Sequence, residues 1–168
     1  MDPEYLARPG RYGKLEYAAS GDRDLVITRE LGASRERVFE ACTKPELIRR
    51  WLSGPPGWTM SACTVDLRAG GSYRFEWRDE GGGPGMAVGG TIREVAAPER
   101  FVATERFDQP WYPGEADVAY SFAEKDGKTT VTITVRYESQ AARDGVLQTE
   151  MPRGLAWSYN QLAMLLAG

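Results

Sequence analysis

The segment Met151–Ala167, MPRGLAWSYNQLAMLLA, constrains the fold more than any other part of the chain. At about 100° per residue, Met151, Leu155, Tyr159, Leu162 and Leu166 fall on one stripe of a helix. Pro152 suits the first turn, where its missing N–H is no loss. A helix with a single apolar stripe must bury it against a second layer, and nearly everything upstream reads as strand.

That upstream pattern predicts seven strands. Leu25–Leu31 is the first. Ser34 then stands as N-cap before a short helix, Arg35–Cys42, with Val38 and Phe39 on its apolar face. A second short helix starts at Pro45, presents Leu47, Ile48, Trp51 and Leu52, and ends at Gly54-Pro55-Pro56-Gly57. Strands are expected over Trp58–Leu67, Ser72–Arg78, Met86–Val95, Phe101–Phe107, Ala116–Ala123 and Thr129–Tyr137. In Ser72–Arg78, Tyr73, Phe75 and Trp77 alternate with Ser72, Arg74, Glu76 and Arg78, as in a half-buried antiparallel strand. Trp58–Leu67 shows no clean alternation, so the face taken by Cys63 stays open. Gly89-Gly90 predicts a bulge. A short helix, Gln140–Glu150, leads into the terminal one.

The fold class is therefore α+β: a curved, seven-stranded antiparallel sheet, two short helices after its first strand, and a long C-terminal helix gripped by the sheet. Residues 23–168 form the domain. Residues 1–22, rich in Pro, Gly and charge, read as an extended arm whose Tyr5, Leu6, Tyr12, Leu15 and Tyr17 would lie across the body or a neighbouring subunit. A bent sheet around one helix tends to leave a cavity, because side chains cannot fill the whole concavity.

Composition removes several function classes. The chain has no histidine, which excludes Ser-His-Asp and Cys-His nucleophile systems and the commonest zinc ligand. Its two cysteines, Cys42 and Cys63, sit in different elements and make neither a metal site nor an expected disulfide. No metal and no cofactor is implied. A net charge of −3 argues against nucleic-acid binding. No apolar run approaches the roughly 20 residues that span a bilayer, and the N-terminus has no apolar signal-peptide region, so no membrane association is expected and the cytoplasm is the expected location. Gly81–Gly85 resembles a phosphate loop only superficially, since no helix follows and it holds no lysine.

Several segments carry a family resemblance. Asp66-Leu67-Arg68-Ala69-Gly70-Gly71-Ser72-Tyr73-Arg74-Phe75 resembles the D-x-R-x-G-G-x-aromatic-x-aromatic turn of the activator of heat-shock protein ninety ATPase-like domains. Trp51 through Gly54-Pro55 and Gly57-Trp58-Thr59, Pro98-Glu99-Arg100-Phe101-Val102, and the stretch from Tyr137 through Arg143-Asp144 and Leu147 to Leu166 are similar to further segments of that family. Together they cover residues 24–167. The resemblance implies the helix-grip fold of the START-like, SRPBCC superfamily. It also implies a range of functions: relatives bind lipids, hormones or polyketides, some cyclise polyketides, and the family name suggests a chaperone partner. Fold alone licenses a cavity, not a reaction. Trp157 and Met164 depart from the family pattern. They lie nearly opposite the Leu155–Leu166 stripe, where polar residues are usual, and so predict a cover from the arm or, preferentially, a homodimer contact.

The favoured function is binding of a small hydrophobic molecule, aromatic or lipid-like, between the terminal helix and the sheet. The expected wall is Trp51, Trp58, Tyr73, Phe75, Trp77, Met86, Phe101, Tyr120, Phe122, Met151, Leu155 and Tyr159, although each also fits an ordinary aromatic core. Its mouth is expected near Gly54–Gly57 and the Asp108–Gly114 loop, with Tyr120, Tyr159 and Glu105 as orienting groups. Glu105 shares strand parity with Phe101, Ala103 and Phe107. Turned inward it would be desolvated and raised toward proton-transfer chemistry. The competing expectation, given more weight, is a salt bridge to an arginine at the sheet edge. The alternatives are a cyclase, aromatase or hydrolase using Glu105 or a tyrosine as acid–base, and a chaperone-interaction module. Cys63 lacks any neighbour that would make it nucleophilic.

Overall fold

Strand pairing runs unbroken across the molecule. The computed structural model describes the backbone of residues 11 and 12 and all of residues 14–168. In chain order the elements are β1 (Arg11–Tyr12), β2 (Leu15–Ser20), β3 (Asp24–Leu31), α1 (Arg35–Thr43), α2 (Pro45–Trp51), β4 (Trp58–Val65), β5 (Ser72–Asp79), β6 (Met86–Ala96), β7 (Arg100–Phe107), β8 (Ala116–Lys125), β9 (Lys128–Arg136), α3 (Gln140–Val146) and α4 (Met151–Ala167). The strands form one curved antiparallel sheet in the order β1-β2-β3-β9-β8-β7-β6-β5-β4.

Among the described residues the sheet has nine strands rather than the expected seven. The two additions come from the segment expected to be an arm. Leu15–Ser20 pairs with β3, from Glu16 opposite Thr28 to Ser20 opposite Asp24, and Arg11–Tyr12 pairs with Leu15–Glu16. Periodicity misses β2 because only Leu15 of its six residues is buried; a strand held mainly by backbone bonds carries little hydrophobic pattern. Residues 1–10 and Gly13, and with them the expectations for Tyr5 and Leu6, lie outside the described residues, as does the Tyr12 side chain. Strands β1 and β2 lie against α4. Trp157 is half-buried against the main core, whereas Met164 is 61% exposed.

The helices begin where their caps place them. The Ser34 and Ser139 hydroxyls accept the backbone N–H groups of Arg37 and Ala142, capping α1 and α3. Pro45 and Pro152 occupy first-turn positions of α2 and α4. Helices α1 and α2 carry the chain from β3 to the opposite sheet edge at β4. The Arg37 guanidinium donates to the Leu166 carbonyl at 2.9 Å, tying α1 to the negative end of the α4 dipole. Arg143, 4% exposed, donates to the Asp24 carbonyl at 2.8 Å and to Asp144 at 2.7 Å, joining α3 to the start of β3.

Two irregularities aim side chains. The β4–β5 register shifts between Met60 and Ala62. Trp58 and Met60 face inward before the shift, Cys63 and Val65 after it, which explains the missing alternation and settles Cys63 as buried. The second shift lies between Ile92 and Glu94, not at Gly89-Gly90 as expected. Those glycines serve close backbone approach instead: a Cβ at Gly90 would stand 2.0 Å from the Thr104 carbonyl oxygen.

The interior is not one packed core. A large cluster joins α1 and α4 to β3, β8 and β9. A smaller one unites Ile48, Met60, Cys63, Trp77 and Val88.

Candidate functional site

The walls of a cavity of about 1080 Å³ draw on both clusters. Four chain segments meet at it: Gly54-Pro55 after α2, Pro84–Met86 before β6, Asp108–Tyr112 after β7, and the first turns of α4 from Glu150 to Leu155. Eleven of the twelve expected wall residues line it: Trp51, Trp58, Tyr73, Phe75, Trp77, Met86, Phe101, Tyr120, Met151, Leu155 and Tyr159. Phe122 does not. It has the right parity, two residues beyond Tyr120, but that end of the sheet is closed by α1. There Phe122 is 2% exposed and meets Phe39 edge-on at 5.4 Å.

The wall also contains Phe107, Trp111, Tyr112 and Tyr137, which are absent from the expected set. Phe107 was within reach of the parity argument that placed Glu105. Tyr137 shares a face with Val131, Ile133 and Val135, so it too had a signal. Trp111 and Tyr112 had none, because they belong to a loop without periodicity. Tyr112 is nonetheless buried, edge-on to Tyr137 at 4.8 Å and to Phe107 at 6.1 Å. Its hydroxyl donates to the Glu105 carbonyl at 3.3 Å, holding the loop to β7.

Hydrogen bonding divides the wall into scaffold and free tips. The Trp51 indole N–H donates to the Ala41 carbonyl at 2.8 Å and that of Trp77 to the Leu52 carbonyl at 2.6 Å. The Tyr73 hydroxyl donates to the Thr104 carbonyl at 2.6 Å. These groups brace α1, α2 and β7 from inside. The hydroxyls of Tyr120, Tyr137 and Tyr159 make no hydrogen bond among the described residues. Burial raises the pKa of all three, so they remain protonated donors at physiological pH.

Glu105 points into the cavity, and the expected salt bridge at the sheet edge is not formed. Its carboxylate has neither an ion pair nor a hydrogen bond among the described residues. The sheet parity decides this: Arg106, the nearest arginine in sequence, is exposed on the opposite face. Desolvation raises the Glu105 pKa from 4.5 to about 7. The ionised carboxylate also helps raise the pKa of Tyr73, Tyr112, Tyr120 and Tyr137 after their own burial, which places it centrally among them.

At the mouth the electrostatics are ordinary. Arg74 makes two bonds to the Asp108 carboxylate, at 3.2 and 2.6 Å, fastening β5 to the β7–β8 loop and holding Asp108 below its usual pKa. Cys42 lines the wall, but burial pushes its thiol up to about 12, which leaves it inert. Among the described residues no cluster of His, Cys, Asp or Glu could hold a metal, and no helix is long and apolar enough to cross a membrane. Chemically, the site offers a large aromatic surface, a few hydroxyls and one carboxyl able to gain or lose a proton near neutrality.

A curved antiparallel sheet closed on one long C-terminal helix around an apolar cavity defines the helix-grip, START-like class of α+β domain. Residues 32–167 match the family described as Activator of Hsp90 ATPase homolog 1-like protein, and the chain belongs to that family. A comparison with curated proteins finds no match. Among solved structures, a Rhodobacter sphaeroides protein is 26% identical with a TM-score of 0.85, over 92% of this chain and 98% of that one. A Chromobacterium violaceum protein is 28% identical with a TM-score of 0.71, over 87% and 98%. An AHSA1-like protein from Aeromonas hydrophila, 24% identical with a TM-score of 0.66 over 83% and 93%, shares the fold.

Proposed function

We propose that the protein binds a small hydrophobic molecule, aromatic or lipid-like, in the cavity between α4 and the sheet. The observation that carries this reading is the cavity itself: about 1080 Å³ bounded almost wholly by apolar and aromatic side chains. A space of that size lined by Leu, Val, Ile, Phe and Trp gains little from water and much from an apolar occupant. The scaffold bonds of Trp51, Tyr73 and Trp77 hold the wall open without a ligand, so little ordering need accompany binding.

Four of the five tryptophans, Trp51, Trp58, Trp77 and Trp111, line the cavity. Intrinsic fluorescence therefore reports directly on occupancy. Titration with a panel of aromatic polyketides, sterols and fatty acids is expected to quench or shift the emission for at least one class. An unchanged spectrum across the whole panel would overturn the proposal.

A second reading, acid–base catalysis of the cyclase or hydrolase kind, is favoured by one observation: Glu105 lines the cavity unpaired among the described residues, where desolvation raises its carboxyl toward neutrality. Glu105→Gln should then lower turnover of any bound substrate by roughly 10²-fold or more. Equal turnover by the variant removes this assignment.

A further inference from the structure

We propose that the cavity selects an organic cation, a hydrophobic amine whose ammonium group is received by the Glu105 carboxylate. This inference rests on the ligand-binding reading above and names the class of ligand. Its ground is an imbalance of charge in the wall. Among the described residues no lysine or arginine lines the cavity, whereas three carboxylates do. Two of these, Asp108 and Glu150, stand exposed at the mouth and are already paired with Arg74 and Arg153. The third, Glu105, lies inside without an ion pair or hydrogen bond among the described residues.

An unpaired carboxylate in apolar surroundings is costly in a free protein, and a bound cation removes that cost. The groups that face Glu105 from the surrounding elements are Tyr73 on β5, Tyr112 on the β7–β8 loop, Tyr120 on β8 and Tyr137 after β9. None is basic. Their ring faces attract positive charge, and the free hydroxyls of Tyr120 and Tyr137 can accept an ammonium N–H. A ligand carboxylate beside Glu105 would meet the reverse: like charge and, among the described residues, no cationic side chain in the wall. The same apolar body should therefore bind in the order amine, alcohol, acid.

The experiment is isothermal titration calorimetry at about pH 8, where alkyl amines remain protonated and Glu105 is mostly ionised. Two series serve as probes: naphthylethylamine, naphthylethanol and naphthylacetic acid, and dodecylamine, dodecanol and dodecanoic acid. In at least one series the amine is expected to bind at least about tenfold more tightly than the alcohol, and the acid most weakly. In Glu105→Gln the amine preference over the alcohol should shrink to within about threefold. Retained alcohol binding also shows that the variant cavity is intact. Alcohols that bind as tightly as amines to the wild-type protein, or an amine preference that survives in the variant, overturn the cation inference and leave the apolar cavity standing. Failure of all six probes to bind overturns both. The wild-type comparison decides the matter even if the variant does not fold.

Discussion

Replacing Glu105 with glutamine makes the protein more stable at about pH 8 and leaves it nearly unchanged at about pH 4.5. In the unfolded chain the carboxyl titrates near its ordinary value of 4.5; in the folded protein, desolvation moves it to about 7. Between these values the folded state holds a proton that the unfolded state has released. Stability contributed by Glu105 is thus greatest below about pH 4.5, falls as pH rises toward 7, and levels off above it. At about 1.4 kcal/mol per pH unit the loss comes to about 3.5 kcal/mol, which the partial exposure of Glu105 lowers to about 2 kcal/mol. Glutamine keeps the shape without the charge. Urea denaturation of both proteins across this range should show curves that meet in acid and separate above neutrality. Asp24 and Asp108, held low by Arg136 and Arg74, act in the opposite sense at lower pH and cancel in the difference. Parallel curves would show that Glu105 is solvated like a surface carboxylate, and the electrostatic account of the cavity would fail with it.

Gly90→Ala is expected to destabilise the protein by about 3 kcal/mol. The new Cβ would lie 2.0 Å from the Thr104 carbonyl oxygen and 2.7 Å from its carbon, and these are backbone atoms of the neighbouring strand. That strand cannot yield cheaply. The Thr104 carbonyl accepts the Tyr73 hydroxyl at 2.6 Å, and the Thr104 hydroxyl accepts the Thr91 N–H at 2.9 Å. Moving it would also disturb Glu105, the next residue. Gly145→Ala is the control: a Cβ there meets nothing within 4 Å, the site is an exposed turn of α3, and alanine favours helix, so stability should hold or rise by up to about 1 kcal/mol. Thermal melts of the two variants test the pair. A Gly90→Ala melt matching wild type would mean that β6 and β7 are not held at this separation.

The helix at the C-terminus and the strands of the domain were legible because each buries one face, and burial writes a period into the sequence. Ser34, Pro45 and Gly54–Gly57 marked element ends through local backbone chemistry, which needs no tertiary partner. The segment Leu15–Ser20 left no such trace. Its place in the sheet depends on backbone bonds to β3, and those are blind to side-chain type. The strand Trp58–Val65 was found, but not its facing, since the shift at Met60/Ala62 breaks the alternation in the middle. Phe122 shows a limit of another kind: parity selects a face of the sheet, but not how far along that face the cavity extends before Phe39 closes it.

The absence of histidine, the acidic balance, the α+β order and the inward set of aromatics were determined by the sequence alone, since each follows from residue type or short-range periodicity. Tertiary structure alone decided that Trp111 and Tyr112 fold back into the wall and that Glu105 stands unpaired inside. Those outcomes depend on which groups the sheet's curvature brings within a few ångströms of one another. Such distances join residues far apart in the chain, and no local pattern encodes them.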